Sequence, residues 1–287
     1  MPLASRVAAI WVLAGLALSG QVVDSSAITM FVADVDRTLA FYEGVLDMDV
    51  RRQSARVAGI RTTVEARESQ QAESGARLPR IQDPGNATLV LMVRNVDATL
   101  ARVTKAGYPV VTIGGRPVPL DDGTRAVVVR DVDNRFIELR QPPSIPASAP
   151  AHNIVDIHVM LTVADLPRTA QVYRDVFGFT VEGERTAFVP DRPTQLLSGL
   201  ANATARWARA KARESQMWLE FLEFNGVDRT PLTTTSQGSG ATRLQLRTQG
   251  IEAVVEAARR AGLRIDTQGA LIADPNNFFV SLYESVK

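Results

Sequence analysis

The 287-residue sequence contains no cysteine. That absence removes disulfides, thiolate metal centres and cysteine nucleophiles from consideration, without fixing the compartment. Histidine is nearly as scarce, with two residues in the whole chain, so a site built mainly from imidazoles is excluded. Charge of either sign is also lacking in excess: 32 Lys and Arg against 31 Asp and Glu leave +1. Nothing in that balance suggests nucleic acid or an anionic membrane as partner. No apolar run reaches the roughly 20 residues of a membrane span. The longest, Val7–Leu18, follows Arg6 and ends at Ser19-Gly20, the plan of a secretory leader. Residues 1–20 are therefore expected to direct the chain to the periplasm or outside the cell, with membrane attachment only through an uncleaved leader.

What the sequence does contain is a repeat. Ile157–Phe179 reads as a strand, an N-capping turn at Asp165 and an amphipathic helix stopping near Gly178. The same plan runs from Ile28 to Met48, with Asp34 at the cap. Val32-Ala33-Asp34 faces Val163-Ala164-Asp165, and Tyr42 faces Tyr173. Further on, Glu65 and Glu68 fall on Glu220 and Glu223, Thr88 on Arg243, and Ala106-Gly107 on Ala261-Gly262. Near the ends of the halves, Asp131, Asn134 and Phe136 fall on Asp274, Asn277 and Phe279. The spacing changes only where loops absorb insertions, so the halves are duplicated domains. Each half divides into two strand–helix–strands units, giving four modules. Pro142, Pro143, Pro146 and Pro150 make residues 141–153 a semi-rigid linker between domains at 27–140 and 154–287.

Within these units the patterns predict strands at Thr88–Val93, Val110–Ile113, Ala126–Arg130 and Arg135–Arg140. Helices are expected from Asp97, Asp165 and Ile251, with glycine stops at Gly107 and Gly262. Glu65–Arg80 reads as a strand or a loop. Thr186–Gln216 is an insertion with a basic helix at Ala205–Arg213, expected as a solvated excursion and not as a lid.

The Val-Ala-Asp opening, the Tyr-x-x-Val-Phe-Gly-Phe run and the Asp-x-x-Asn-x-Phe-Ile-Glu-Leu close (Asp131–Leu139) resemble the vicinal oxygen chelate superfamily. That group holds glyoxalase I, bleomycin-resistance proteins, methylmalonyl-CoA epimerase and extradiol dioxygenases. The resemblance implies an α+β chain of two tandem glyoxalase-like domains, whose four βαβββ modules pair into cupped mixed sheets with a metal site inside the cup. Carried over by position, module three offers His158 and Glu220, and module two offers Thr88 and Glu138. Module one offers Ala27 and Glu65, and module four offers Arg243 and Ser281. If modules two and three share a cup, His158, Glu138 and Glu220 form a divalent-metal site for zinc, nickel, manganese or iron, with Thr88 in the fourth position. The other cup then holds no metal set.

In that reading Glu220 or Glu138 doubles as the base that moves a proton on a metal-chelated substrate, in lyase, isomerase or dioxygenase chemistry. Thr88 and Arg243 are the candidate substrate contacts, since Arg243, Gln245 and Arg247 alternate on one strand face. His152, in the linker, is not expected to contribute a ligand. The rival reading is a metal-free binding protein of the bleomycin-resistance type, its cavity lined by Trp207, Trp218, Phe221 and Phe224. A scaffold with closed cups is a third. The expected partner is a small molecule, and the expected state is a monomer with pseudo-dimeric domains or a homodimer.

Overall fold

A computed structural model describes residues 21–70, 79–266 and 270–284. The leader expected at 1–20 lies outside these residues. Module one comprises β1 (Gln21–Val32), α1 (Val35–Gly44), β2 (Asp49–Arg51), β3 (Ser54–Arg56) and β4 (Thr63–Glu68). Module two comprises β5 (Ala87–Val93), α2 (Val96–Lys105), β6 (Val118–Pro119), β7 (Arg125–Arg130) and β8 (Phe136–Gln141). Module three comprises β9 (Ile154–Thr162), α3 (Leu166–Asp175), β10 (Thr180–Glu182), α4 (Arg192–Ser198), β11 (Thr204–Lys211) and β12 (Leu219–Asn225). Module four comprises β13 (Thr242–Gln249), α5 (Ile251–Arg260), β14 (Arg264–Ile265), β15 (Leu271–Ala273) and β16 (Phe279–Glu284).

The helices start where the sequence places caps. Asp34, Asn95 and Asp165 each accept a hydrogen bond from the backbone N–H three residues on, which satisfies a donor the helix leaves open. Gly107 and Gly262 follow α2 and α5 with φ of 84° and 70°, a left-handed stop that other residues adopt only under strain.

The strands form two eight-stranded sheets, ordered β10-β11-β12-β9-β5-β8-β7-β6 and β14-β15-β16-β13-β1-β4-β3-β2. Module two therefore joins module three, through antiparallel β5–β9, and module one joins module four, through antiparallel β1–β13. Neither half pairs its own modules. Alternation along each strand then sorts the side chains. On β9, Ile157, Val159 and Leu161 enter the main core that the helices cover, leaving His158, Met160 and Thr162 to the opposite face. Arg135 ties the sheets together, donating to Thr242 Oγ1 at 2.7 Å and to the carbonyls of Phe31 and Ala241 at 2.8 and 2.9 Å.

The repeated Asp-x-x-Asn turn has one construction in both halves. Asp131 Oδ1 accepts from the N–H groups of Asp133 and Arg135, and Asp274 Oδ1 from those of Asn276 and Phe278. Asn134 and Asn277 take φ of 61° and 65°, which asparagine tolerates better than most residues. Both aspartates sit behind a buried helix tyrosine: Asp131 by Tyr42 and Asp274 by Tyr173. Burial pushes each carboxyl up to about 6.

Two local expectations are corrected. Val110–Ile113 is not a strand; Val110 makes one bridge to Val129, and the edge strand forms later, at Val118–Pro119. Ala205–Arg213 is not a helix: β11 occupies Thr204–Lys211 between β10 and β12. Ala208 and Ala210 are buried while Arg209 is exposed, so two-residue alternation and the waiting sheet edges override the helix preference of Ala and Arg. The insertion does contain a helix, α4, capped by Asp191 through the Thr194 N–H. Glu65–Arg80 opens as strand, since β4 runs to Glu68; residues 71–78 lie outside the described residues.

Candidate functional site

The open face of the module two–three sheet forms a cup with a cavity of about 370 Å³. Met160, Leu222 and Phe224 give it an apolar wall, with Trp207 on one side. Helix α4 lies over the cup: Leu197, from module three, packs against Val118, Ala126 and Val128 of module two. The backbone N–H of Ile113 donates to the Leu196 carbonyl at 2.9 Å, fastening the helix to that half. The insertion is thus a cover on the cavity, contrary to the expected solvated excursion.

The floor of the cavity is charged. Glu138 on β8 and Glu220 on β12 both reach inward, as their strand positions require, and a third residue stands between them. Arg140 follows Glu138 by two positions and so shares its face of the strand. Its Nε donates to Glu138 Oε1 at 2.7 Å; Nη1 and Nη2 donate to Glu220 Oε1 and Oε2 at 2.6 and 2.8 Å. The guanidinium fork matches a carboxylate on two parallel bonds, the strongest form such a pair takes. The side chain of Glu138 is 3% exposed and that of Arg140 17%, while Glu220 keeps 25% open toward the cavity.

Electrostatics follow from this contact. Burial alone would raise the Glu220 carboxyl, but the Arg140 charge and hydrogen bonds, helped by His158, hold it below the ordinary carboxylate range. Burial likewise opposes the Arg140 charge, and the two glutamates outweigh it, so the guanidinium stays protonated. A carboxylate held ionised in this way is a weak proton acceptor.

His158 stands apart from the floor. Its Nδ1 accepts the Trp218 backbone N–H at 2.9 Å, and its Nε2 lies 3.5 Å from Asp156 Oδ2, outside the cavity wall. Burial lowers its pKa, against the pull of Asp156 and Glu220, so the ring is neutral at pH 7. Thr88 is fully buried opposite Met160; its hydroxyl accepts from Asn86 Nδ2 at 3.4 Å, and it does not line the cavity. His152 contacts the Asp47 carbonyl in the other sheet's module.

These positions do not fit the metal centre expected of His158, Glu138 and Glu220. A cation already bridges the carboxylates, and it is Arg140. The imidazole nitrogen nearest the backbone is spent on an N–H donor, and among the described residues no group of three or more His, Cys, Asp or Glu is arranged to hold a metal ion. Arg140 is the residue that the sequence reading missed, although a buried carboxylate demands a cation and this one is two positions away on the same face.

Of the aromatic residues expected around a cavity, Trp207, Phe221 and Phe224 line it. Trp218 does not; Arg209 and Lys211 cover its ring at 4.4 and 5.0 Å. Trp207 carries Arg185 over its ring at 4.6 Å.

The module one–four sheet carries the second cup. Ala27, Glu65, Arg243 and Ser281 stand on its β1, β4, β13 and β16. Arg243 and Thr88 are thus in different cups and share no site. Glu65 Oε2 accepts from Thr29, Gln245 and Arg67 at 3.3, 3.0 and 3.3 Å.

Comparison with known proteins agrees with this architecture. Glyoxalase I from Zea mays is 19% identical, with 93% of this chain and 92% of that chain covered and a TM-score of 0.59. A mutant of the same maize enzyme gives 17%, 93%, 94% and 0.58. A Bacillus subtilis protein with a provisional dioxygenase description gives 13%, 93%, 86% and 0.56. Likeness at this identity concerns the fold alone. No curated protein matches the chain. The family model for the Glyoxalase/Bleomycin resistance protein/Dioxygenase superfamily matches residues 25–139 and 157–277, most of the sequence, and the chain belongs to that superfamily.

Proposed function

We propose that this protein binds a small molecule in the module two–three cup without a resident metal. The observation that carries the reading is Arg140, whose guanidinium takes the place between Glu138 and Glu220 that a metal would need. The supporting features are a covered cavity of about 370 Å³, within the range of small-ligand sites, and a mostly apolar wall with an aromatic side. Trp207 offers a face for stacking, backed by Arg185. The one floor group left partly open is Glu220, so a ligand donor would meet a carboxylate already fixed in place. Helix α4 spans both modules over the cup and would exclude water from a bound ligand.

This reading replaces proton transfer on a metal-chelated carbonyl, because Arg140 holds Glu220 ionised and fixes the direction of both carboxylates. Export remains part of the proposal on the strength of residues 1–20, and N-terminal sequencing of the mature protein tests it: a start after about residue 20 supports export, and an intact Arg6 contradicts it.

The binding reading is tested by titrating the protein with a panel of flat, oxygen-bearing small molecules in buffer containing EDTA. Saturable quenching of tryptophan emission that is lost in Trp207→Phe is the expected result. Binding that vanishes with EDTA and returns with zinc or manganese would overturn it.

A further inference from the structure

We propose that the second cup is a separate site for a small carboxylate, held by Arg243. The proposal does not rest on the first cup. Its starting point is a cation with no carboxylate in ion-pair contact among the described residues: Arg243 stands on β13 over the Phe31 ring, 4.9 Å from its centroid, and its Nη2 donates to the Ser236 carbonyl at 3.2 Å. Its Nε is buried and has no hydrogen-bond partner among the described residues. A buried donor left open is costly, so Nε is a donor that a bound acceptor would satisfy.

Most of the neighbouring charges are engaged elsewhere. Glu65 receives three donors, one of them Arg67, whose Nη1 also donates to Gln53 Oε1 at 2.7 Å. Arg247, farther along β13, pairs with Glu214 at 2.7 Å. Glu68 is exposed at the rim. Arg243 faces Arg67 across a cavity of about 340 Å³; burial depresses its pKa, opposed by the charge of Asp266 and helped by that of Arg67. A carboxylate accepting from Nε and one Nη, side-on, satisfies the open donor and neutralises the charge; the Ser236 carbonyl is the contact it would displace. Glu65 and Glu68 share the wall and disfavour a dianion, which selects a carboxylate over phosphate.

The position has a history readable in the repeat. Arg243 corresponds to Thr88 of the first cup, and Glu65 to Glu220. The two cups therefore carry their arginines at different fold positions, Arg140 on the last strand of its module and Arg243 on the first strand of its own.

Calorimetric titration of the full chain with benzoate, with inorganic phosphate in parallel, tests the site. The expected result is saturable benzoate binding with unchanged tryptophan emission, since the described tryptophans both lie in module three. Arg243→Met is expected to weaken it at least tenfold, and Arg243→Lys, which keeps the charge and loses Nε, several-fold. Arg67→Met provides a second variant should Arg243→Met not fold, with a smaller loss expected. No benzoate binding, binding indifferent to Arg243 and Arg67, or phosphate binding more tightly than benzoate would each overturn the proposal.

Discussion

The two cups are built from the same module plan and have reached opposite solutions to the problem of charge in a sheet. In the first, two carboxylates converge on Arg140, which bonds both with 2.6–2.8 Å contacts beneath a helical cover. In the second, Glu65 is shared among a hydroxyl, an amide and Arg67, and Arg243 is left with an open Nε. The first cup has its floor charges paired and an apolar wall. The second is polar and, among the described residues, has no helix across it. The difference teaches that a βαβββ pair supplies inward-facing positions, while the residues two places along each strand decide what those positions can hold.

Breaking the first cup should have the largest effect. Arg140→Met leaves Glu138 and Glu220 buried without a counter-charge, and a loss of roughly 3–5 kcal/mol is expected in urea unfolding. Adding Glu138→Gln and Glu220→Gln to that variant should recover much of it, because the uncompensated charge is removed with its cause. The corresponding change in the second cup, Arg67→Met, removes a half-exposed pair and should cost about 1 kcal/mol or less by the same measurement.

Next in size come the repeated turns, where the cups are alike. The raised Asp131 and Asp274 carboxyls, at about 6 against an unfolded value near 3.8, favour the protonated folded state. Their contribution is fully present below about pH 4 and is lost as pH rises toward 6. Asp131→Asn should therefore gain on the wild type between pH 4 and 6, by roughly 1–3 kcal/mol, and stay level above. Denaturant unfolding across that range checks the slope.

A further effect separates the cups at their first strands, where His158 stands in one and Ala27 in the other. Removing the ring in His158→Ala strands the Trp218 N–H and should cost about 1–2 kcal/mol. The lowered His158 pKa also predicts that the wild type loses stability as pH falls below about 6.5, a loss the variant lacks. Paired unfolding curves at pH 7.5 and 5.5 resolve both.

Much of this was legible in the sequence, and for physical reasons. Asp34 and Asp165 announce helices because a side-chain acceptor is needed there, and the Asp-x-x-Asn turn announces a tight return to strand in both halves. Cross-pairing is the arrangement that gathers His158, Glu138 and Glu220, and their strands do share one sheet, β12 beside β9 and β8 on the far side of β5. The use of those residues was not legible from position alone. Fold position says where Glu138 and Glu220 point; only the i+2 neighbour Arg140 says what they meet. Ala205–Arg213 misled because alanine and arginine favour helix, while the alternation of Ala208, Ala210 and Ala212 with Arg209, Lys211 and Arg213 carried the strand signal. The Asp191-Arg192-Pro193 start of α4 was a capped helix in plain view, but no local pattern reveals that its Leu197 packs across a module boundary.

The proposal is that Arg140 takes the place of a metal in the first cup. Its most direct test is elemental analysis of the full chain, purified without chelator and equilibrated with zinc, nickel, manganese and ferrous iron. Far less than one bound metal per chain is expected, unchanged in His158→Ala. About one equivalent of metal that disappears in His158→Ala would contradict it.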